Sequence, residues 1–255
     1  MTNIVPVRAF KDNYIWLMVD ATAQAAWAVD PGDAAPVIDY LREHHLALAG
    51  ILITHHHADH CGGISNLLNE WKDIPVYGFM HSKVPQLTHF VKENDEINCG
   101  QIKLKVVEIP GHTLDHLAFY NDEIVFCGDT LFSAGCGRVF EGTYEQMYHS
   151  LNKLFYLPNS IKIYCGHEYT WQNLQFALQV EPENSFIQKK IAVVTRLLAE
   201  DKPTLPAILA DEKNINPFLR CQESSVMQAA QNNAPNKLAN AVEVFKYLRE
   251  WKNRF

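Results

Sequence analysis

His55, His56, His57, Asp59 and His60 place four imidazoles and a carboxylate within six residues, all of them ligand types suited to a borderline divalent metal ion. A solvated histidine-rich turn would show the same residues and would need no matching groups elsewhere in the chain. Matching groups exist. His112 follows Ile109-Pro110-Gly111, Asp129 follows Cys127-Gly128, and His167 follows Cys165-Gly166, so each ends an apolar run at a turn residue. Taken singly, His112 or His167 would read as a hydrogen-bonded structural histidine and Asp129 as a turn cap. Their shared local context points instead to one metal site assembled from distant segments.

An extended backbone alternates its side chains, so His55 and His57 face one way and His56 the other. His55 and His57 are therefore expected on one ion, with His56 outside the ligand set. Asp59 and His60 reach a second ion. His112 completes the first, His167 the second, and Asp129 spans both, because a carboxylate has two oxygens and two-metal hydrolytic sites hold their ions roughly 3.5 to 4 Å apart. Two such ions share a water whose pKa falls far below its bulk value, which leaves hydroxide as a nucleophile at neutral pH. His116 is expected as an outer partner or turn residue, and His44, His45, His81, His89 and His149 as surface histidines.

The elements that must position these groups can be read from hydrophobic periodicity. Strands are expected at 4–7, 14–19 and 25–29, with Asp30-Pro31-Gly32-Asp33 as the turn that stops them. Asp33 and Pro36 start a helix with Val37 and Leu41 inward. Gly50-Ile51-Leu52-Ile53-Thr54 is the short apolar run of a strand covered on both faces, and it delivers the His cluster at its end. A helix over Ile64 to Trp71 and a strand at 74–77 follow, then a polar stretch from His81 to Cys99 expected as a surface loop or short helix. Ile102, Leu104 and Val106 alternate with Lys103 and Lys105 as a half-exposed strand, and 117–120 with 123–127 form a hairpin. Thr143-x-x-Gln146 is a capping box for a helix that Pro158 ends. After a strand at 161–165 the β signal stops, and helices are expected at 171–180, 184–200 and from about Lys237, with Phe245, Leu248 and Trp251 inward. The boundary this suggests separates a catalytic domain, 1–172, from a helical domain, 173–255.

Composition removes several function classes. A formal charge of −7 argues against a nucleic-acid partner held by general electrostatics. No apolar run approaches the roughly 20 residues of a membrane span, and Met1 to Phe10 carries no signal-peptide core, so a cytoplasmic protein is expected. The six cysteines lack a C-x-x-C pair and are expected as reduced, buried thiols. Charge is unevenly spread: Lys237 to Phe255 holds five Lys or Arg against two Glu.

The pattern His-x-His-x-Asp-His followed by Gly-His, Gly-Asp and Gly-His resembles the metallo-β-lactamase superfamily. Longer blocks resemble one family within it, glyoxalase II, the hydroxyacylglutathione hydrolases. These blocks are Asp12-Asn13-Tyr14, Val29-Asp30-Pro31-Gly32, Phe126 to Phe132, Gly135-Cys136-Gly137-Arg138, Glu141-Gly142-Thr143, Gly166-His167-Glu168-Tyr169-Thr170 and Asn216-Pro217-Phe218-Leu219-Arg220. The resemblance implies an α/β (α+β) fold, a four-layer αββα sandwich with an appended C-terminal helical domain that helps hold glutathione. It implies the same ligand division, with two divalent ions that are zinc first, iron or manganese otherwise. It places substrate contacts on Arg138, Tyr169, Arg249 and Lys252. The last two stand three apart on one helix face beside the inward stripe, where both cations could meet glycine's carboxylate.

The activity implied is hydrolysis of S-D-lactoylglutathione, or another S-2-hydroxyacylglutathione, to the hydroxy acid and glutathione, the second step of methylglyoxal detoxification. No separate general base is expected, since Asp59 is taken up as a ligand, and the enzyme is expected as a monomer with a small-molecule substrate. A mononuclear-iron persulfide dioxygenase of the same superfamily and a non-catalytic, metal-stabilised binding module are the competing expectations. Two departures stand out: Asp115 where many relatives carry Gly, adding a carboxylate near the metals or facing solvent, and Phe140 where some carry Tyr, removing a hydroxyl.

Overall fold

The structure, a computed structural model, describes residues 2–255; Met1, the first residue of the expected catalytic domain, lies outside the described residues. The described residues form two compact units, one of 2–108 with 115–128 and the other of 109–114 with 129–255.

In the first unit, β1 (Thr2–Ala9), β2 (Asn13–Asp20), β3 (Ala25–Val29), β4 (Ala47–Leu52), β5 (Val76–Phe79) and β6 (His89–Val91) lie side by side in chain order as one sheet. The first three pair antiparallel through tight turns, and β3 to β6 run parallel. Parallel neighbours need crossovers: α1 (Ala35–Glu43) supplies the one from β3 to β4, the one-turn α2 (Ala58–Cys61) and α3 (Ile64–Glu70) the one from β4 to β5, and residues 80–88 connect β5 to β6 without a helix. Val37 and Leu41 of α1 and Ile64 and Leu67 of α3 are fully buried against Ala28, Ile51, Ile53 and Val76. β4 is buried from Gly50 to Leu52, with Leu48 and Ile51 in this cluster, in keeping with its apolar composition.

The same unit continues as an antiparallel meander of β7 (Glu96–Cys99), β8 (Ile102–Glu108), β9 (Leu117–Tyr120) and β10 (Ile124–Gly128). The stretch 81–99, expected as loop or short helix, thus contains β6 and β7. Neither is longer than four residues, so their alternation is too brief to read without the partner strands that complete their hydrogen bonds.

The second unit holds the hairpin β11 (Leu131–Phe132) and β12 (Gly135–Cys136), then α4 (Tyr144–Phe155), β13 (Lys162–Cys165), α5 (Thr170–Val180), α6 (Ser185–Ala199), β14 (Ala207–Ile208), α7 (Leu209–Ile215), α8 (Ser224–Asn233) and α9 (Ala241–Asn253). The expected capping box is formed, with Gln146 N–H donating to Thr143 Oγ1 and Thr143 N–H donating to Gln146 Oε1. The β signal does not stop at Cys165: β14 pairs antiparallel with β13, a two-residue contact with no periodicity to betray it. Similarly, α7 and α8 lack a readable stripe, since α7 buries Glu212 between Leu209 and Ile215 and α8 buries only Val226 and Ala230. α9 begins later than expected because Asn240 caps it, its side chain accepting Glu243 N–H at 3.0 Å. The boundary expected at 172 falls inside α5. All six cysteines are free thiols and five are buried. Among the described residues no helix is long and apolar enough to cross a membrane.

β10 ends on a position only glycine tolerates. Gly128 sits at φ +45°, and a Cβ there would lie 2.3 Å from Thr54 Oγ1 and 2.8 Å from the His116 ring. Gly128→Ala should therefore cost about 1–3 kcal/mol in a denaturant melt; an unchanged midpoint would show that the approach relaxes freely.

Candidate metal centre

Asp30 organises the part of the site carried by the first unit. Its backbone is left-handed, φ +52°, which is uncommon outside glycine and brings its carboxylate to the end of β4. Oδ1 accepts the Thr54 N–H at 2.7 Å; Oδ2 accepts the Thr54 hydroxyl at 2.6 Å and lies 3.0 Å from His60 Nδ1. Thr54 Oγ1 lies 3.0 Å from His55 Nδ1. With Nδ1 engaged in both rings, Nε2 is the nitrogen that can ligate. Asp30, His55 and His60 also have ligand atoms within 4.8 Å of one another, but these bonds make Asp30 a holder of ligands rather than a ligand.

His55 Nε2 and His57 Nδ1 converge to 3.1 Å, the shared direction the alternation predicts. His56 turns the other way: its Nδ1 lies 2.8 Å from Asp115 Oδ1. Asp115 is buried and its second oxygen accepts the Ser82 hydroxyl at 2.5 Å, so the solvent-facing alternative for this departure is wrong. The carboxylate fixes the histidine that stands between two ligand histidines. Asp59, in α2, has Oδ2 3.5 Å from His60 Nε2 and accepts the Asn13 amide there at 3.0 Å. His116 is buried and stacks on His55, centroids 4.6 Å apart and planes 13° apart.

The second unit carries His112, Asp129 and His167, all buried. Asp129 Oδ2 lies 3.6 Å from His112 Nε2 and 3.2 Å from His167 Nε2. The two histidines expected on different ions thus both approach the same oxygen of Asp129. His112 Nδ1 donates to the Arg138 carbonyl at 2.8 Å, so here too Nε2 is the nitrogen that can ligate. The His167 ring stacks flat on Tyr169, 4.7 Å away. Imidazole and carboxylate donors with their outer atoms held fit a divalent ion of the zinc, iron or manganese kind.

The residues expected at substrate differ in their surroundings. Arg138 is exposed and Tyr169 half-buried. Lys252 is half-buried, its Nζ donating to Asn173 Oδ1, and burial with Arg249 beside it brings its pKa down to about 7. Arg249 is spent internally: Nη1 donates to the Cys136 carbonyl at 2.6 Å and Nε to Asn253 Oδ1 at 3.2 Å, and only 3% of the residue is exposed. The face it shares with Lys252 packs inward more deeply than the stripe alone suggests. Phe140 is exposed, its ring 5.2 Å from that of His112. The surface histidines His44, His45, His81, His89 and His149 are exposed as expected.

Residues 15–167 match the metallo-β-lactamase superfamily and 168–255 match the hydroxyacylglutathione hydrolase C-terminus. The chain is 46% identical to a hydroxyacylglutathione hydrolase of Psychromonas ingrahamii over 257 residues and 49% identical to one of Aliivibrio salmonicida over 255, covering 100% of both chains each time. The chain belongs to the hydroxyacylglutathione hydrolase family. Among solved structures, that of ETHE1 from Myxococcus xanthus is similar at a TM-score of 0.65 and 25% identity, covering 92% of each chain. The glyoxalase II resemblance and its fold, an α+β sandwich of the metallo-β-lactamase type with a helical C-terminal part, therefore hold for this chain. As a hydroxyacylglutathione hydrolase family member with these His and Asp clusters, it binds divalent metal.

Sequence reasoning missed Asp30, Asn13 and Thr54 as holders of the ligands. The signal was present, since Asp12-Asn13-Tyr14 and Val29-Asp30-Pro31-Gly32 are among the family blocks, but spacing alone cannot tell a holder from a turn residue. Asp30→Asn, which replaces one acceptor with a donor facing Thr54 and His60, should lower metal affinity about 10- to 100-fold in chelator competition. Unaltered affinity would remove Asp30 from the site.

Proposed function

We propose that the protein hydrolyses S-D-lactoylglutathione and related S-2-hydroxyacylglutathiones to the hydroxy acid and glutathione, the second step of methylglyoxal detoxification. The observation that carries this reading is the Asp129 carboxylate addressed by both His112 and His167, in a chain whose full-length relatives are named hydroxyacylglutathione hydrolases. His55, His57 and His112 would hold one divalent ion, Asp59, His60 and His167 the other, and Asp129 both; zinc suits these donors best, with iron or manganese accepted. When bound, the two ions supply an acidified water at neutral pH and a Lewis acid for the thioester oxygen.

The protein's own residues bind and orient. Asp59 and Asp129 place the reacting centre, and with Asp59 taken up as a ligand no separate general base is assigned. The leaving thiolate is intrinsically good. Arg138, Tyr169 and Lys252 hold the anionic glutathione moiety, with Arg249 beneath them bracing the Cys136 carbonyl and setting the charge environment of Lys252. In this reading residues 1–172 serve as the catalytic domain and 173–255 as the glutathione-binding domain of a cytoplasmic monomer.

A panel of glutathione thioesters assayed alongside elemental analysis tests the reading directly. Stripping the metal with a chelator should abolish thioesterase activity; full activity in demonstrably metal-free protein would sink it. Lys252 gives a second handle. Its ammonium is charged below about pH 7 and neutral above, so KM should rise between about pH 6 and about pH 8 with kcat much less affected. Lys252→Arg, charged throughout, should flatten that rise; the same slope in both proteins would exclude Lys252 as a glutathione contact.

A further inference from the structure

The hairpin of β11 and β12 is too short to hold itself together, because strands of two residues contribute almost no ladder. It is clamped from outside. The Phe132 and Gly135 carbonyls accept the Asn216 amide at 3.1 and 3.0 Å, the Ser133 carbonyl accepts the Asn173 amide at 2.9 Å, and the Cys136 carbonyl accepts Arg249 at 2.6 Å. Glu212 holds the tip: Oε1 accepts the Ser133 hydroxyl at 2.8 Å, and Oε2 accepts the Ala134 N–H at 2.7 Å and the Asn216 amide at 3.1 Å. Glu212 and Asn216 are fully buried, and Ala134 has a left-handed backbone, φ +54°, that turns its N–H into the carboxylate. Such a carboxylate is costly to bury unless each of its bonds is made.

What this clamp holds is the run from Asp129 to Arg138. At the base of the hairpin Gly137 N–H donates to the Thr130 carbonyl at 3.2 Å, and a Cβ on Gly137 would lie 1.9 Å from the Asp129 carbonyl oxygen. One end of the run is Asp129. The other is Arg138, whose carbonyl fixes His112. We propose that Glu212 and Asn216 are positioning residues for the bridging carboxylate, so that the C-terminal helices set the two-ion site as well as the glutathione contacts. This rests on the reading that Asp129 bridges two ions. Asn173 extends the coupling, since its amide holds Ser133 while its oxygen accepts Lys252.

The test uses the full-length, metal-loaded protein. Glu212→Gln keeps the shape but turns one acceptor into a donor facing the Ala134 N–H or the Ser133 hydroxyl. It should lower metal affinity about 10- to 100-fold, take bound metal below two per chain by elemental analysis, lower kcat with KM little changed, and recover kcat when metal is added in excess. Val226→Ala, fully buried in α8, a helix that makes none of these bonds to the hairpin, should lose thermal stability yet keep its metal. Where Glu212→Gln does not fold, Ser133→Ala removes a single bond to the carboxylate and should give the same pattern at smaller size. Two metals per chain and kcat within about twofold in these hairpin variants, or equal metal loss in Val226→Ala, overturns the proposal. Asp129→Asn separates the two ideas: metal loss there with none in the hairpin variants refutes the clamp alone, whereas two metals retained in Asp129→Asn refutes the bridge and the clamp with it.

Discussion

A ligating imidazole is useful only while its second nitrogen is held, because the ring otherwise rotates and the wrong tautomer competes. In the first unit one carboxylate meets that need for two histidines. Asp30 touches His60 directly and reaches His55 through the Thr54 hydroxyl. The left-handed backbone at Asp30, the glycine at 128 that lets β10 close on Thr54, and the stacking of His116 on His55 all serve that placement. Turned the other way, His56 is held by Asp115 as His60 is held by Asp30, which pins the backbone between His55 and His57.

The second unit meets the same need with backbone. His112 is oriented by a carbonyl, and that carbonyl sits at the end of a hairpin with little stability of its own. Here the helical part supplies buried polar side chains in place of a β-ladder. The device is demanding, since one wrong donor in such a network leaves a buried group unsatisfied. It also explains why Arg249 is buried. Lys252, beside it, is held below the usual lysine pKa by burial first and by this guanidinium second.

The sequence was informative where a pattern is local. The His55 and His57 pairing, the exclusion of His56, the capping box at Thr143 and the apolar β4 each follow from periodicity over a few adjacent residues. It was less informative where a short element exists only because a partner strand or helix completes it, as with β6, β7, β14 and α7. Family blocks containing Asn13, Asp30 and Asn216 were visible as strings, yet their roles were not. Each of those side chains acts on a residue 30 or more positions away, His60 for Asp30, Asp59 for Asn13, and the hairpin for Asn216.

What the sequence carried by itself was the inventory: the imidazoles and carboxylates on offer, the turn residues that follow the strands and precede them, and a basic C-terminal stretch. These depend on residue type and on the twofold alternation of extended backbone, properties carried by neighbouring residues. Tertiary structure decided which atom of each ring is available, that Asp115 is clamped rather than solvated, and that Arg249 faces inward. Those outcomes depend on hydrogen bonds between residues brought close only by folding, where burial makes each satisfied bond obligatory and each alternative costly.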